Sequence, residues 1–189
     1  MIPERLETQR LVLRRHRRAD APRLAQLLNN WEVVRWLAQV PFPYTEKDAL
    51  DWISQTGRNW VEGRDYQFVA VLKETNEVVG HIGIRMDVPR ATGELGYWFG
   101  QPYWGLGYGA EAARAMVAFG FLELKLERLW ATYLPENVRS LTVLSKAGLM
   151  PDGFKSQEFS TLKRTVNCPM MAIDRAEYLQ TATMAETRS

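Results

Sequence analysis

Gly105, Gly107 and Gly109 recur at alternate positions between a strand-like run, Glu94 to Phe99, and a helix-like run, Ala110 to Leu122. No other stretch of the 189 residues limits the fold as much. Three glycines in five positions let the backbone turn tightly and bring its amides close to a ligand. A helix beginning there adds free N–H groups and the positive end of its dipole. Together these predict an anion site suited to a pyrophosphate, set at the end of a sheet. The alternative is a flexible connector with no ligand. Two nucleotide motifs do not fit. A Walker A loop needs Lys and then Ser or Thr after its last glycine, where Tyr108, Gly109 and Ala110 stand. The dinucleotide fingerprint needs a different glycine spacing and an acid at the end of the next strand, whereas Glu127 comes before it.

The rest of the chain reads as alternating elements. Leu11, Leu13 and Arg15 alternate with Val12, Arg14 and His16, as a strand does. Asp20 is placed to cap a helix carrying Leu24, Leu27 and Leu28. Thr45 and Asp48 form a capping pattern ahead of Ala49, Trp52 and Ile53 on one helical face. Phe68 to Leu72 and Val78 to Arg85 predict a hairpin turning at Thr75-Asn76. Leu129 to Leu134 predicts a strand, and Asn137 to Ala147 a helix stopped by Gly148. Phe154 to Leu162 and Val166 to Ile173 complete the strands. The order predicts an α/β (α+β) domain with a mixed sheet.

Length suits one domain over residues 1–189, with no linker or repeat, a core from about 6 to 178 and a frayed polar tail over 181–189. Apolar types at 46% and charged types at 24% are ordinary for a folded chain. No apolar run nears the roughly 20 residues of a membrane-spanning helix. The first eighteen residues lack the apolar core of a signal peptide. Cys168 has no partner for a disulfide, and with His16 and His81 it makes a poor set of metal ligands. A net charge of +2 is too small to imply a nucleic-acid binder. A reducing, cytoplasmic setting with no metal is the expectation.

With these residues in place, the chain resembles the GNAT superfamily of acyl-CoA N-acetyltransferases, and more narrowly its RimJ/RimL type. The resemblance rests on Thr8-Gln-Arg-Leu-Val-Leu-Arg14, Gly80-His-Ile-Gly83, Glu94-Leu-Gly-Tyr-Trp98 and Tyr103-Trp-Gly-Leu-Gly-Tyr-Gly109. It continues in Asn137-Val-Arg-Ser140, Lys146-Ala-Gly148 and Lys163-Arg-Thr-Val-Asn167. It spans roughly Leu6 to Tyr178. It implies a mostly antiparallel sheet that splays after the fourth strand, flanked by about four helices. Acetyl-CoA is the implied cofactor. The backbone of Gly105, Leu106, Gly107, Tyr108, Gly109 and Ala110 would hold the pyrophosphate, with Trp104 at the head of the motif where many relatives have Gln or Arg. The pantetheine arm would pair with the freed strand edge, an amide near Trp98 or Phe99 would polarise the thioester carbonyl, and Asn137 and Ser140 would meet the arm. Many relatives carry a Tyr general acid where this chain has Leu144. That leaves Ser140 as the candidate acid.

Amide formation needs a neutral amine, so a carboxylate is expected to take a proton from it. Glu94 is the first candidate base and Glu158 the second. Trp31, Trp36, Phe42 and Tyr44 fall where the resemblance places the wall of the acceptor cleft. The acceptor is then a primary amine, first a protein N-terminus beginning with Ala or Ser, second a small-molecule amine. A chain that binds acyl-CoA without turnover is the rival from another class. His81 and Cys168 are read as structural, Arg14 to Arg18 as a solvated strand end, and a homodimer is the expected assembly.

Overall fold

Alternation begins the sheet: Leu11 and Leu13 are fully buried while Val12 and Arg14 are only half-buried. The computed structural model describes residues 2–87 and 91–186. Within them one sheet is built from β1 (Arg5–Glu7), β2 (Leu11–Arg14), β3 (Asp65–Leu72), β4 (Val78–Met86), β5 (Thr92–Phe99), β6 (Arg128–Thr132), β7 (Met150–Phe159) and β8 (Arg164–Asp174). Their spatial order is β1-β2-β3-β4-β5-β6-β8-β7. Every pairing is antiparallel except β5 with β6. The helices are α1 (Ala21–Leu28), α2 (Trp31–Val34), α3 (Glu46–Val61), α4 (Tyr108–Leu122), α5 (Val138–Lys146) and α6 (Arg175–Glu186). None is long and apolar enough to cross a membrane.

Two apolar layers sandwich the sheet. On one face α4 sets Ala112, Ala113, Met116 and Phe119 against Phe68, Ala70, Ile82 and Ile84. On the other, Leu24, Leu28, Ala49 and Ile53 of α1 and α3 cover Val69, Val71 and Trp98. These side chains leave water on folding, at about 25 cal/mol per Å² of apolar surface. The strand faces therefore have fixed roles: Leu95, Tyr97 and Phe99 look toward α4, whereas Glu94, Gly96 and Trp98 look toward α1 and α3.

Several expectations hold. The hairpin between β3 and β4 turns with Asn76 at positive φ. Thr45 and Asp48 cap α3 reciprocally, so Asp serves where Glu or Gln is usual. Gly148 leaves α5 at φ +94. Cys168 is fully buried.

Other expectations need correction. There are six α-helices among the described residues, not about four, and a short β1 precedes the first expected strand, making the splayed strand the fifth. The tail from 181 is helical to Glu186, because α6 continues β8 directly; residues 187–189 lie outside the described residues. Asp20 precedes α1 but does not cap it. Its carboxylate accepts the Arg17 N–H at 2.7 Å and two hydrogen bonds from the Arg14 guanidinium, at 2.7 and 2.8 Å. The Arg14 to Arg18 run is thus not a simple solvated end. His16 within it sits against the Trp52 ring, 4.6 Å between centroids, with its Nε2 3.3 Å from Nδ1 of His81. Trp52 also stands edge-on to His81.

This pairing makes stability depend on pH. Desolvation, with Arg14 charge beside it, pushes the His16 ring down to about 3, and burial takes His81 well below its ordinary value. Below about 6.5 the unfolded chain takes up protons that the folded chain refuses. The stabilisation is whole above the unfolded value and is lost as pH falls toward the folded one. The thermal midpoint should fall as pH drops from 7 to 5, and the slope should flatten in the His16→Gln, His81→Gln double variant. An equal slope in both proteins would remove the histidine pair from the account.

Candidate active site

Strands β5 and β6 run side by side for only three residue pairs, Thr92 with Arg128, Gly93 with Leu129 and Glu94 with Trp130. Beyond Glu94 they part. β5 stays bound to β4 as far as Phe99 opposite Gly80, and β6 stays bound to β8 as far as Thr132 opposite Met170. The parted strands open a cleft of about 420 Å³. Its mouth is closed by the glycine turn and α4 on one side and by α5 on the other.

Backbone alternation decides which groups face this gap. The Gly100 N–H donates to the Val79 carbonyl on β4 at 2.9 Å. In an antiparallel pair a residue turns both its backbone groups to the same side, and the next residue turns them away. Trp98 and Gly96 therefore face β4, and the N–H groups of Tyr97 and Phe99 face the gap. Of the two expected polarising positions, Phe99 is on the open edge and Trp98 is not. The Phe99 carbonyl is taken by the Trp104 indole N–H at 2.7 Å. That bond gives a reason for Trp at the head of the motif: its ring locks the turn to the strand end, and Arg139 lies over the same ring, 5.0 Å from its centroid.

The glycine turn has the character expected of it. Gly105 and Gly107 have φ of +77 and +85, which side chains beyond glycine rarely adopt. The backbone N–H groups from Gly105 to Ala110 have no partner among the described residues. They lie at the N-terminus of α4, whose first-turn amides have no intrahelical acceptor. Such a cradle has the chemistry of an anion site, and a pyrophosphate group would fit it. Gly105, Gly107, Gly109 and Ala110 line the cleft; the Leu106 and Tyr108 side chains do not.

A clamp that sequence reading missed holds the turn. Arg10 lies in the β1–β2 connection. Its Nη1 donates to the Leu106 carbonyl at 2.9 Å, its Nε donates to Glu111 at 2.7 Å, and its guanidinium covers the Tyr108 ring, 4.5 Å from the centroid. Glu111, buried in the first turn of α4, also accepts the Arg10 N–H at 2.7 Å and the Thr8 hydroxyl at 2.6 Å. Desolvation opposes its charge, but these hydrogen bonds hold Glu111 below the usual carboxylate range. The signal was present in Thr8-Gln-Arg10 and in Glu111 just after the glycines; one hundred residues of separation hid it.

Across the cleft, Asn137 caps α5 by accepting the Ser140 N–H at 3.1 Å. Ser140 Oγ lies 2.7 Å from the Tyr97 hydroxyl. Burial raises the Tyr97 phenol above its ordinary value, so it stays protonated. The phenol absent at Leu144 thus has a counterpart that enters from β5. Glu94 lies on the opposite face of β5. It is paired with Arg85, directly across in β4, and its carboxylate is 15% exposed against 65% for the arginine. Asp65, Arg85, Glu94 and Trp130 stand side by side on four neighbouring strands.

The remaining expected residues scatter. Glu158 is exposed and does not line the cleft. The alternation of β7 turns Gln157 and Phe159 inward instead. Trp36 lines the cleft, with Val33, Leu37 and Phe159 around it. Trp31 and Phe42 pack on each other at the surface, 5.4 Å between centroids, and Tyr44 is buried between α1 and α3, its hydroxyl pushed up to about 12 by burial. None of these three reaches the cleft.

Comparison with known proteins decides the family. An acetyltransferase (GNAT) domain matches residues 10–150. The chain belongs to the GNAT family of acetyltransferases. It is 31% identical over 176 residues to the uncharacterized N-acetyltransferase p20 of Bacillus licheniformis, covering 93% of this chain and 98% of that one. It is 29% identical over 160 residues to the ribosomal protein uS5 alanine N-acetyltransferase of Escherichia coli K12, covering 79% and 80%. The crystal structure of a GNAT-family acetyltransferase from Bacillus anthracis superposes with a TM-score of 0.78 at 26% identity, covering 91% and 99%. The resemblance to the RimJ/RimL type therefore stands, and this GNAT domain is an acetyl-transferring enzyme.

The clamp yields a quantitative expectation. Hydrogen bonds to charged groups contribute about 1.5–3 kcal/mol. Arg10→Ala should raise KM for acetyl-CoA by about tenfold or more, and leave kcat at saturation within about twofold. Initial rates over a range of acetyl-CoA measure both. An unchanged KM would mean that the turn keeps its shape without Arg10.

Proposed function

We propose that the protein transfers the acetyl group of acetyl-CoA to the α-amino group of a protein N-terminus. The observation that carries the reading is the parting of β5 from β6 beside a cradle of unpartnered amides. GNAT acetyltransferases use acetyl-CoA, and this chain's residues fit it. Gly105 to Ala110 would hold the pyrophosphate with their amides. The open edge of β5 would pair with the pantetheine arm, as an added strand pairs with any free edge. Asn137, whose Oδ1 is spent on its cap, keeps its Nδ2 to donate to the same arm. Acetyl-CoA supplies an activated acetyl thioester.

The protein groups then divide the proton work. The amine attacks directly, in a ternary complex. Glu94 accepts its proton at the carboxylate, directly or through a water, with the Arg85 ion pair fixing the position of the carboxylate. The Phe99 or Tyr97 N–H on the gap side donates to the oxygen that gains charge. Ser140 Oγ gives a proton to the departing thiolate and regains one from solvent, where Glu94 releases the proton it took; the Tyr97 phenol, kept protonated by burial, holds the serine through their hydrogen bond. No acyl-enzyme is needed.

The acceptor assignment rests on two supports. One relative is named for acetylating an alanine of ribosomal protein uS5. In this chain Val33, Trp36, Leu37 and Phe159 make an apolar wall beside Glu94, which suits a small first side chain next to a free amine.

Thermal unfolding with acetyl-CoA, against NAD and ATP at equal concentration, tests the cofactor. At 100 times its dissociation constant acetyl-CoA should add about 2.7 kcal/mol, and the other two nothing. Thiol release with peptides beginning Ala or Ser then tests the acceptor, and acetylation of small amines alone would overturn it. Glu94→Gln should lower kcat by about 10²-fold or more. The deficit should narrow as pH rises toward 8, because more of the α-amine is then neutral without help. A deficit that stays constant with pH would remove Glu94 as the base.

A further inference from the structure

Gln157 is used by nothing described so far. It lines the cleft from β7, and its neighbour Glu158 does not. Its side-chain oxygen Oε1 lies 2.6 Å from the Thr132 hydroxyl on β6. That separation falls in the O–H···O range and is shorter than N–H···O bonds commonly are. The partner of Thr132 is therefore the amide oxygen, with the hydroxyl donating. The orientation of the amide follows: Oε1 is occupied, and the Nε2 group, with two donor hydrogens, has no partner among the described residues.

The neighbours show where this donor stands. Thr132 is two residues beyond Trp130, the residue paired with Glu94, so it shares a sheet face with both. It lies across the parted gap from Gly96. At Gly96 an added Cβ would meet nothing within 4 Å, so the floor between Glu94 and Trp98 is bare. Glu94, Gly96, Thr132 and Gln157 all line the one cleft. On one side stands an anion for the amine, and on the other a neutral donor fixed in place. In an α-amino acid residue the carbonyl oxygen follows the amine after a single carbon and can meet such a donor while the amine meets the carboxylate.

We infer that Gln157, oriented by Thr132, selects acceptors that carry a carbonyl next to the amine, by donating from Nε2 to that oxygen. This deepens the proposed function and rests on it for the placement of the amine at Glu94. A neutral amide donor suits an uncharged carbonyl, as in a peptide or an amino acid amide. Sites built to hydrogen-bond a substrate group reject analogues that lack it far more strongly than apolar walls reject a missing methylene.

The test uses the full chain, acetyl-CoA and thiol release. The acceptors are L-alaninamide and sec-butylamine, similar in size with and without the carbonyl, and an alanine-initiated peptide. With rates counted per neutral amine, because the alkylamine is the stronger base, wild type should favour alaninamide over sec-butylamine by about 10²-fold or more in kcat/KM. Gln157→Leu should reduce that preference by at least tenfold while leaving the sec-butylamine rate near its wild-type value. Thr132→Val, which frees the amide to turn over, should reduce it less. The inference is overturned if the preference survives in Gln157→Leu, if both amines lose rate equally, or if wild type prefers neither amine or turns over neither. Turnover of alaninamide without the peptide would sink the protein N-terminus instead, and leave the role of Gln157 standing.

Discussion

Strand β5 is hydrogen-bonded to β6 through Glu94 and then is not, and most of the site descends from that break. A sheet interior ordinarily leaves no backbone group without a partner, since an unpaired buried amide costs as much as a lost hydrogen bond. Here two strands give up each other for the rest of their length. Each is steadied by its outer neighbour, β4 for one and β8 for the other. The unpaired edges are what an extended ligand arm can use. The α4 N-terminus and the α5 cap stand at the two lips of the same opening, so the anion cradle and the Asn137–Ser140 pair are brought together by the parting itself.

The break also separates chemistry by face. Successive residues of β5 point to opposite sides, so Glu94 looks toward α1 and α3 while Tyr97 looks toward α5. In the proposed mechanism, proton removal from the incoming amine and proton delivery to the departing thiol would fall on different sides of one strand. A single short element supplies both without bringing a carboxylate and a phenol into contact, which would tie them to each other.

What the sequence made legible was local. The glycine turn, the Thr45–Asp48 cap, the β3–β4 hairpin and the Gly148 stop each depend on a few adjacent residues, and each appears. Elements too short to show a period escaped: β1 has three residues and α2 has four. Strand phase escaped too. A run such as Lys155 to Phe159 alternates either way on paper, and only the packing of Phe159 with Leu134 and Cys168 turns Gln157 inward and Glu158 out. Aromatic content near the acceptor cleft was visible, but which ring reaches it depended on the path of the chain from Arg35 to Thr45. Pairs joined across the sheet, His16 with His81 and Tyr97 with Ser140, had no local trace.

The clamp between the first strands and the glycine turn has a consequence for how the site comes into being. The Thr8 hydroxyl and the Arg10 guanidinium reach Leu106 and Glu111, some hundred residues further along. Loop closure over such a span is slow compared with hairpin or helix formation. During synthesis the N-terminal hairpin must therefore wait, with its arginine unspent, until more than half of the chain has emerged. The glycine turn is therefore held in place only after α4 has been made. A ligand that bound only the finished turn would stabilise the contact between the two ends of this span by mass action, and so the topology that the contact closes.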